Sequence, residues 1–174
     1  MRTIILGNMI SLGASVCLAA SCCAKNKKSA YGLQAAESAV LCGSYLVFSA
    51  WAGLVTQVLS VLRNLLVMRG KFSVRWMVFF TALAVALGVT VNNRGLIGLL
   101  PVAATVQLTL CNHFCRTLKQ VKISFLVNAI QWLTFSFCIG DYVNAATQVA
   151  VMALCAVSLA RMTRRERKKA LASA

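Results

Sequence analysis

A chain of 174 residues that is 60% hydrophobic and 12% charged, with a mean hydropathy of +0.79, cannot hide its apolar surface in a water-soluble core. Its net charge of +15 would suit a nucleic-acid-binding domain, but the basic residues sit in short stretches between apolar blocks, which excludes one. The blocks have the length that crosses a bilayer as helix, roughly 17–25 residues.

Seven spans are predicted, over residues 3–24, 31–50, 52–69, 75–92, 95–114, 121–139 and 142–161. The first follows Arg2 and ends in LAASCCA, which has some likeness to a signal peptide or a lipoprotein box at Cys22. Three lysines and a second span follow directly, so a permanent helix is expected. Span two carries Glu37, the only acid embedded in a span. Span three contains Arg63 within VLSVLRNLLVMRGK, and Gln57, Ser60 and Asn64 follow one helical face. Span five adds Gln107 and the run CNHFC, in which Cys111 and Cys115 share a face while His113 points nearly opposite. These read as buried small side chains, with no metal or other cofactor implied. Span six offers Ser124, Asn128, Gln131, Trp132 and Phe135; span seven offers Asn144, Gln148, Cys155 and Ser158; span one offers Asn8, Ser11 and Ser15. An amide facing lipid has no partner, so these stripes are expected to turn inward.

The basic groups fix an expected topology. Lys25, Lys27 and Lys28 follow span one; Arg69, Lys71 and Arg75 follow span three; Arg116, Lys119 and Lys122 follow span five. Six more, from Arg161 to Lys169, follow span seven. Together they are 15 of the 18 lysines and arginines, all on one side, so the amino terminus is expected outside and the tail in the cytoplasm. The tail RMTRRERKKALASA is read as an anchor on anionic lipid headgroups rather than a nucleic-acid site.

The chain also matches itself at a shift of 91 residues. Lys25 falls on Arg116, Lys28 on Lys119, Trp51 on Tyr142, and Thr56-Gln57 on Thr147-Gln148. Two parallel three-helix repeats, residues 1–70 and 95–161, are thus expected around a linker over 71–94, with 162–174 as the basic tail. Such a 3+1+3 order resembles the SWEET sugar facilitators and the PnuC vitamin transporters. On QVLSVLRNLLVMR (57–69), GLLPVAATV (98–106) and GDYVNA (140–145), the chain more closely resembles the YgjV family of bacterial inner-membrane proteins over about residues 5–162. The resemblance implies an all-α multi-pass protein of the bacterial inner membrane. Pro101 alone occupies a place where SWEET-type repeats carry hinge prolines, and Asn64 corresponds to Cys155 rather than to a second amide.

A charge within hydrocarbon costs roughly 2.5–3.5 kcal/mol at mid-span and so calls for a partner. Glu37 and Arg63 lie at the same depth on adjacent spans, about 9 Å from the cytoplasmic side at 1.5 Å per residue. At the shift of 91 they become Asn128 and Leu154, so both charges vanish together. A buried Glu37–Arg63 pair is expected. A solute path between the repeats is expected near Gln57, Asn64, Gln107, Asn128, Gln131, Trp132 and Gln148. The predicted function is a facilitator or transporter of a small polar solute, with a non-transporting scaffold, assembly factor or sensor as the alternative and with homo-oligomers allowed. No constellation for hydrolysis is found at mid-depth, so no enzyme is expected.

Overall fold

The computed structural model describes residues 1–22, 27–115 and 117–172, without the side chains of Cys22, Lys27, Leu118 and 165–172. Lys25, Arg116 and the basic side chains beyond Arg164, on which much of the charge pattern rests, lie outside the described residues. The described residues hold seven α-helices and no strand: α1 (Arg2–Cys22), α2 (Lys27–Val47), α3 (Trp51–Met68), α4 (Val74–Thr90), α5 (Leu100–Phe114), α6 (Leu118–Ile139) and α7 (Tyr142–Ala172). Each overlaps one predicted span, but α7 continues as helix beyond residue 161 to Ala172, through most of the segment expected as a separate tail.

Span five departs from its expected form. It opens as a 3-10 turn over Gly95–Leu99, and Pro101 falls in the first turn of α5. There its missing N–H has no partner to lose and its fixed φ suits a helix start. Pro101 therefore begins a helix and does not hinge one.

Five stretches are long and apolar enough to cross a membrane: Arg2–Ser21, Trp51–Met68, Gly95–Phe114, Lys119–Ile139 and Tyr142–Arg164. Helix α4 is equally apolar in character but has only 17 residues. Helix α2 is long enough and more polar, because Gln34, Glu37 and Ser38 replace apolar residues along its inner side.

The helices close into a cycle. Packing runs α1 to α2 to α3, then α3 to α5, α5 to α6, α6 to α7, and α7 back to α1. Helix α4 packs on α3 and α5, over the seam between them. Polar residues face inward and apolar ones outward. On α3, Gln57, Ser60, Arg63 and Asn64 are buried while Val58 and Leu62 are exposed; on α6, Asn128 is buried while Val127 and Ile130 are exposed. This inversion of a soluble protein's pattern suits a lipid surround.

A close helix contact lies at Gly53. A Cβ there would stand 2.9 Å from the Phe135 ring and 3.2 Å from Tyr45, so only glycine lets α3 meet this aromatic group without displacing it. Tyr45 stacks on Trp132 with ring centroids 6.0 Å apart and meets Phe135 edge-on at 5.7 Å, joining α2 to α6.

The turns α2–α3 and α6–α7 end their helices identically at the shift of 91. Ser49 (φ 51°) and Gly140 (φ 86°) both adopt the left-handed conformation. The N–H groups of Ser49 and Ala50 donate to Leu46 and Tyr45; those of Gly140 and Asp141 donate to Phe137 and Ser136. Only the second turn has the residue this conformation favours. Ser49→Gly is therefore expected to stabilise the protein and Gly140→Ala to destabilise it, each by about 1 kcal/mol. Thermal unfolding in detergent checks both, and equal signs would contradict the cap geometry.

Candidate functional site

The cycle of helices surrounds a partly open cavity of about 100 Å³. Every helix except α4 contributes to its wall: Leu18 from α1, Leu108 from α5, and the remainder from α2, α3, α6 and α7. The contributions of the two helix pairs are in register. Gln34, Glu37, Ser38 and Leu41 of α2 line it, as do Phe125, Asn128, Ala129 and Trp132 of α6, each 91 residues further on. Gln57 and Ser60 of α3 correspond in the same way to Gln148 and Val151 of α7. Arg63 and Asn64 complete the lining without a counterpart.

Five of the seven residues expected along a solute path share this cavity: Gln57, Asn64, Asn128, Trp132 and Gln148. Gln107 and Gln131 stand apart from it. Gln107 donates through Nε2 to the Ser124 carbonyl (2.9 Å) and hydroxyl (3.2 Å), tying α5 to α6, and its Oε1 is buried without a partner. Gln131 is half-buried and its Oε1 likewise lacks a partner. Asn128 is held from behind, donating to the Ala104 carbonyl at 2.8 Å.

The expected Glu37–Arg63 pair takes another form. Both side chains line the cavity, but the guanidinium does not donate to the carboxylate. Nη1 of Arg63 donates to the Thr105 carbonyl (3.4 Å) and the Thr109 hydroxyl (3.1 Å) on α5, and Nη2 to Asn64 Oδ1 (3.4 Å). Nε has no partner, although Arg63 is only 2% exposed. Glu37 accepts instead from the Ser38 hydroxyl at 3.4 Å.

A second polar group lies at the α6–α7 turn, and sequence reasoning had not assembled it. Asp141, fully buried, accepts from Ser11 (2.7 Å), Ser44 (3.4 Å) and the Asn144 backbone (3.1 Å). Asn144 donates to Tyr45 (3.1 Å) and Ser136 (2.8 Å), and accepts from Gln148 (3.2 Å), itself a lining residue. Asn8 donates to the Gly140 carbonyl and accepts from the Val143 backbone, while Ser15 bonds Thr147 at 2.6 Å. Helix α1 is thus fastened to α7 by polar bonds from Asn8 to Ser15. The available signal was Asp141 itself, a carboxylate next to a span with no basic neighbour in sequence. Burial pushes its carboxyl above the ordinary Asp value, against the opposing hydrogen bonds from Ser11, Asn144 and Ser44.

At CNHFC, Cys111 is buried and His113 exposed, in keeping with opposite faces. Cys23 lies outside the described residues.

Crossing helices with apolar outer faces and a polar interior define a multi-pass membrane protein. The chain belongs to the Imp-YgjV family of bacterial inner membrane proteins, which it matches over residues 5–166. No curated protein and no solved structure matches it.

Proposed function

We propose that this inner membrane protein is a facilitator for a small polar solute, held in the cavity between two parallel three-helix repeats with α4 as their linker. The observation that carries the proposal is the lining itself: amides from both halves, with Trp132, converge on one cavity at mid-helix. Amides left in hydrocarbon without partners are costly, so a cavity that gathers them is suited to hydrogen-bonding a polar guest.

Three matches at the same shift of 91 support the repeat: the lining of α2 and α3 against that of α6 and α7, the two left-handed caps, and the packing. Exchanging the halves turns the α1–α7 contact into the α5–α3 contact, and both exist. This is the arrangement that a pseudo-twofold axis through the cavity produces, and it is the reading under which a SWEET- or PnuC-like mechanism applies. The basic residues after spans one, three, five and seven support an amino terminus outside and a tail against anionic cytoplasmic headgroups. The chemistry is passage, not catalysis.

The test is uptake into proteoliposomes of a panel of labelled small polar solutes. Ser60→Phe and Val151→Phe, at corresponding positions on opposite walls, are each expected to fill the cavity and cut uptake at least tenfold while the protein remains folded. Uptake no faster than in protein-free vesicles for every solute, or undiminished uptake by both variants, would refute the facilitator. A ligand-binding sensor is the second reading, and one observation favours it: the single proline opens α5, so no helix carries a proline hinge. Binding without flux is its signature.

A further inference from the structure

We infer that the cavity is built for a small zwitterion, an α-amino acid of the glycine-to-proline size, with its carboxylate on Arg63 and its ammonium on Glu37. The inference rests on the cavity being a solute site and adds the class of solute.

The first reason is the state of the two charges. Nη1 of Arg63 donates to the Thr105 carbonyl and the Thr109 hydroxyl, and Nη2 donates to Asn64. Nε has no partner and Nη2 has one for its two hydrogens, and these two nitrogens share one edge of the planar group. That edge takes a carboxylate by two parallel bonds. Glu37 is equally underused: a carboxylate accepts about four hydrogen bonds, and among the described residues only Ser38, at 3.4 Å, donates to it. Two opposite charges line one cavity, each short of partners and without a hydrogen bond between them.

The second reason is charge balance. The cavity wall carries one guanidinium and one carboxyl group, so with both ionised it is neutral overall. A monoanion or monocation would neutralise one group and leave the other uncompensated in a low-dielectric interior. A zwitterion satisfies both at once. A neutral polyol would satisfy the amides and leave both charges as they are.

The third reason is size. A water needs about 10–15 Å³ of such volume, so a cavity of about 100 Å³ takes a guest of roughly seven to ten heavy atoms or fewer. Small amino acids fit, whereas hexoses and nucleosides exceed it. The break in repeat symmetry is also informative: both charges come from the first half, so the guest is held in one orientation.

The experiment is a thermal-shift and equilibrium-binding series on the detergent-purified full chain with glycine, alanine, serine and proline. These are compared with acetate, glycinamide, glycerol and tryptophan, whose size exceeds the cavity. The four small amino acids are expected to stabilise the protein, and glycinamide, acetate, glycerol and tryptophan to bind at least about tenfold more weakly. Glu37→Gln is expected to weaken amino-acid binding by about tenfold or more while leaving acetate unchanged. Arg63→Lys, which keeps the charge and loses the fork, is expected to weaken both. Binding of acetate as tight as glycine, with no effect of Glu37→Gln, would overturn the zwitterion. Binding of glycerol alone would overturn it too, yet leave the solute cavity standing. Silence across the series, in binding and in uptake, would remove both.

Discussion

Asp141→Leu is expected to destabilise the protein by about 3–6 kcal/mol, enough to prevent recovery of folded material, whereas Asp141→Asn is expected to fold. The carboxylate accepts three hydrogen bonds in a fully buried place, from the Ser11 and Ser44 hydroxyls and the Asn144 N–H. Leucine would strand these donors, at about 1–3 kcal/mol for each that finds no other acceptor. It would also loosen Asn144, which in turn holds Tyr45, Ser136 and Gln148. Asparagine retains one acceptor oxygen, and the serine hydroxyls can rotate to receive its N–H groups.

The same residue sets a pH dependence, whose sign follows from its environment. Its partners from α1, α2 and α7 (Ser11, Ser44, Tyr45 through Asn144, and the Asn144 backbone) are all neutral, so burial outweighs them and its carboxyl lies above the ordinary 3.8. The folded chain therefore holds this proton more tightly than the unfolded chain. Stability is greatest below the ordinary Asp range and falls as pH rises through the raised value. The thermal midpoint of the parent protein should decline over that window, and the Asp141→Asn protein should lack this component. Identical profiles, or a well-folded Asp141→Leu variant, would show that the network does not hold α1 to α7.

Much of this architecture was legible in the sequence, for reasons that differ between elements. The helices could be placed because hydrocarbon leaves the backbone few choices, and lengths near that of a bilayer repeat through the chain. Gln57, Asn64, Asn128, Trp132 and Gln148 could be gathered because an amide or indole in a span has to turn inward. Gln131 was misplaced by one helical step: Asn128 and Trp132 lie four apart on a common face, and Gln131 is rotated by about 60–100° from each. Gln34 and Ser38 were missed although Gln34 lies one turn from Glu37, because α2 had been considered only for its charge. The Ser49 cap was unreadable, since a serine gives no sign of a left-handed backbone unless its glycine counterpart is compared at the shift of 91.

The Glu37–Arg63 expectation failed in a more informative way. Counting residues from the membrane surface gives height, and at that level the two do line the same cavity. It gives no bearing around the helix axis, and a long arginine can reach a different neighbour. Arg63 reaches α5, where Thr105 and Thr109 present oxygens at the right level. Leu154, its counterpart on α7, is 62% exposed, so the same helical position looks outward when nothing long and polar draws it in.

That comparison leads to a stability test of whether the two charges depend on each other. Arg63→Leu alone is expected to cost about 2–4 kcal/mol, because it leaves the Glu37 carboxylate in the cavity without a compensating cation. The loss should be electrostatic rather than steric, since a leucine can take the outward course of Leu154. The double variant Glu37→Asn with Arg63→Leu gives the first half the chemistry that the second half already has. An asparagine at 37 corresponds to Asn128, which donates to the Ala104 carbonyl, and the matching acceptor in the first half is the carbonyl of Gly13. The double variant should therefore regain about 1–3 kcal/mol over Arg63→Leu, a coupling of the size found between residues of one network. Unfolding midpoints of the parent, both single variants and the double variant close the cycle. Additive losses would mean that each charge is held by its own neighbours, Thr105 and Thr109 on one side and Ser38 on the other, and that their shared absence from the second half of the chain has some other cause.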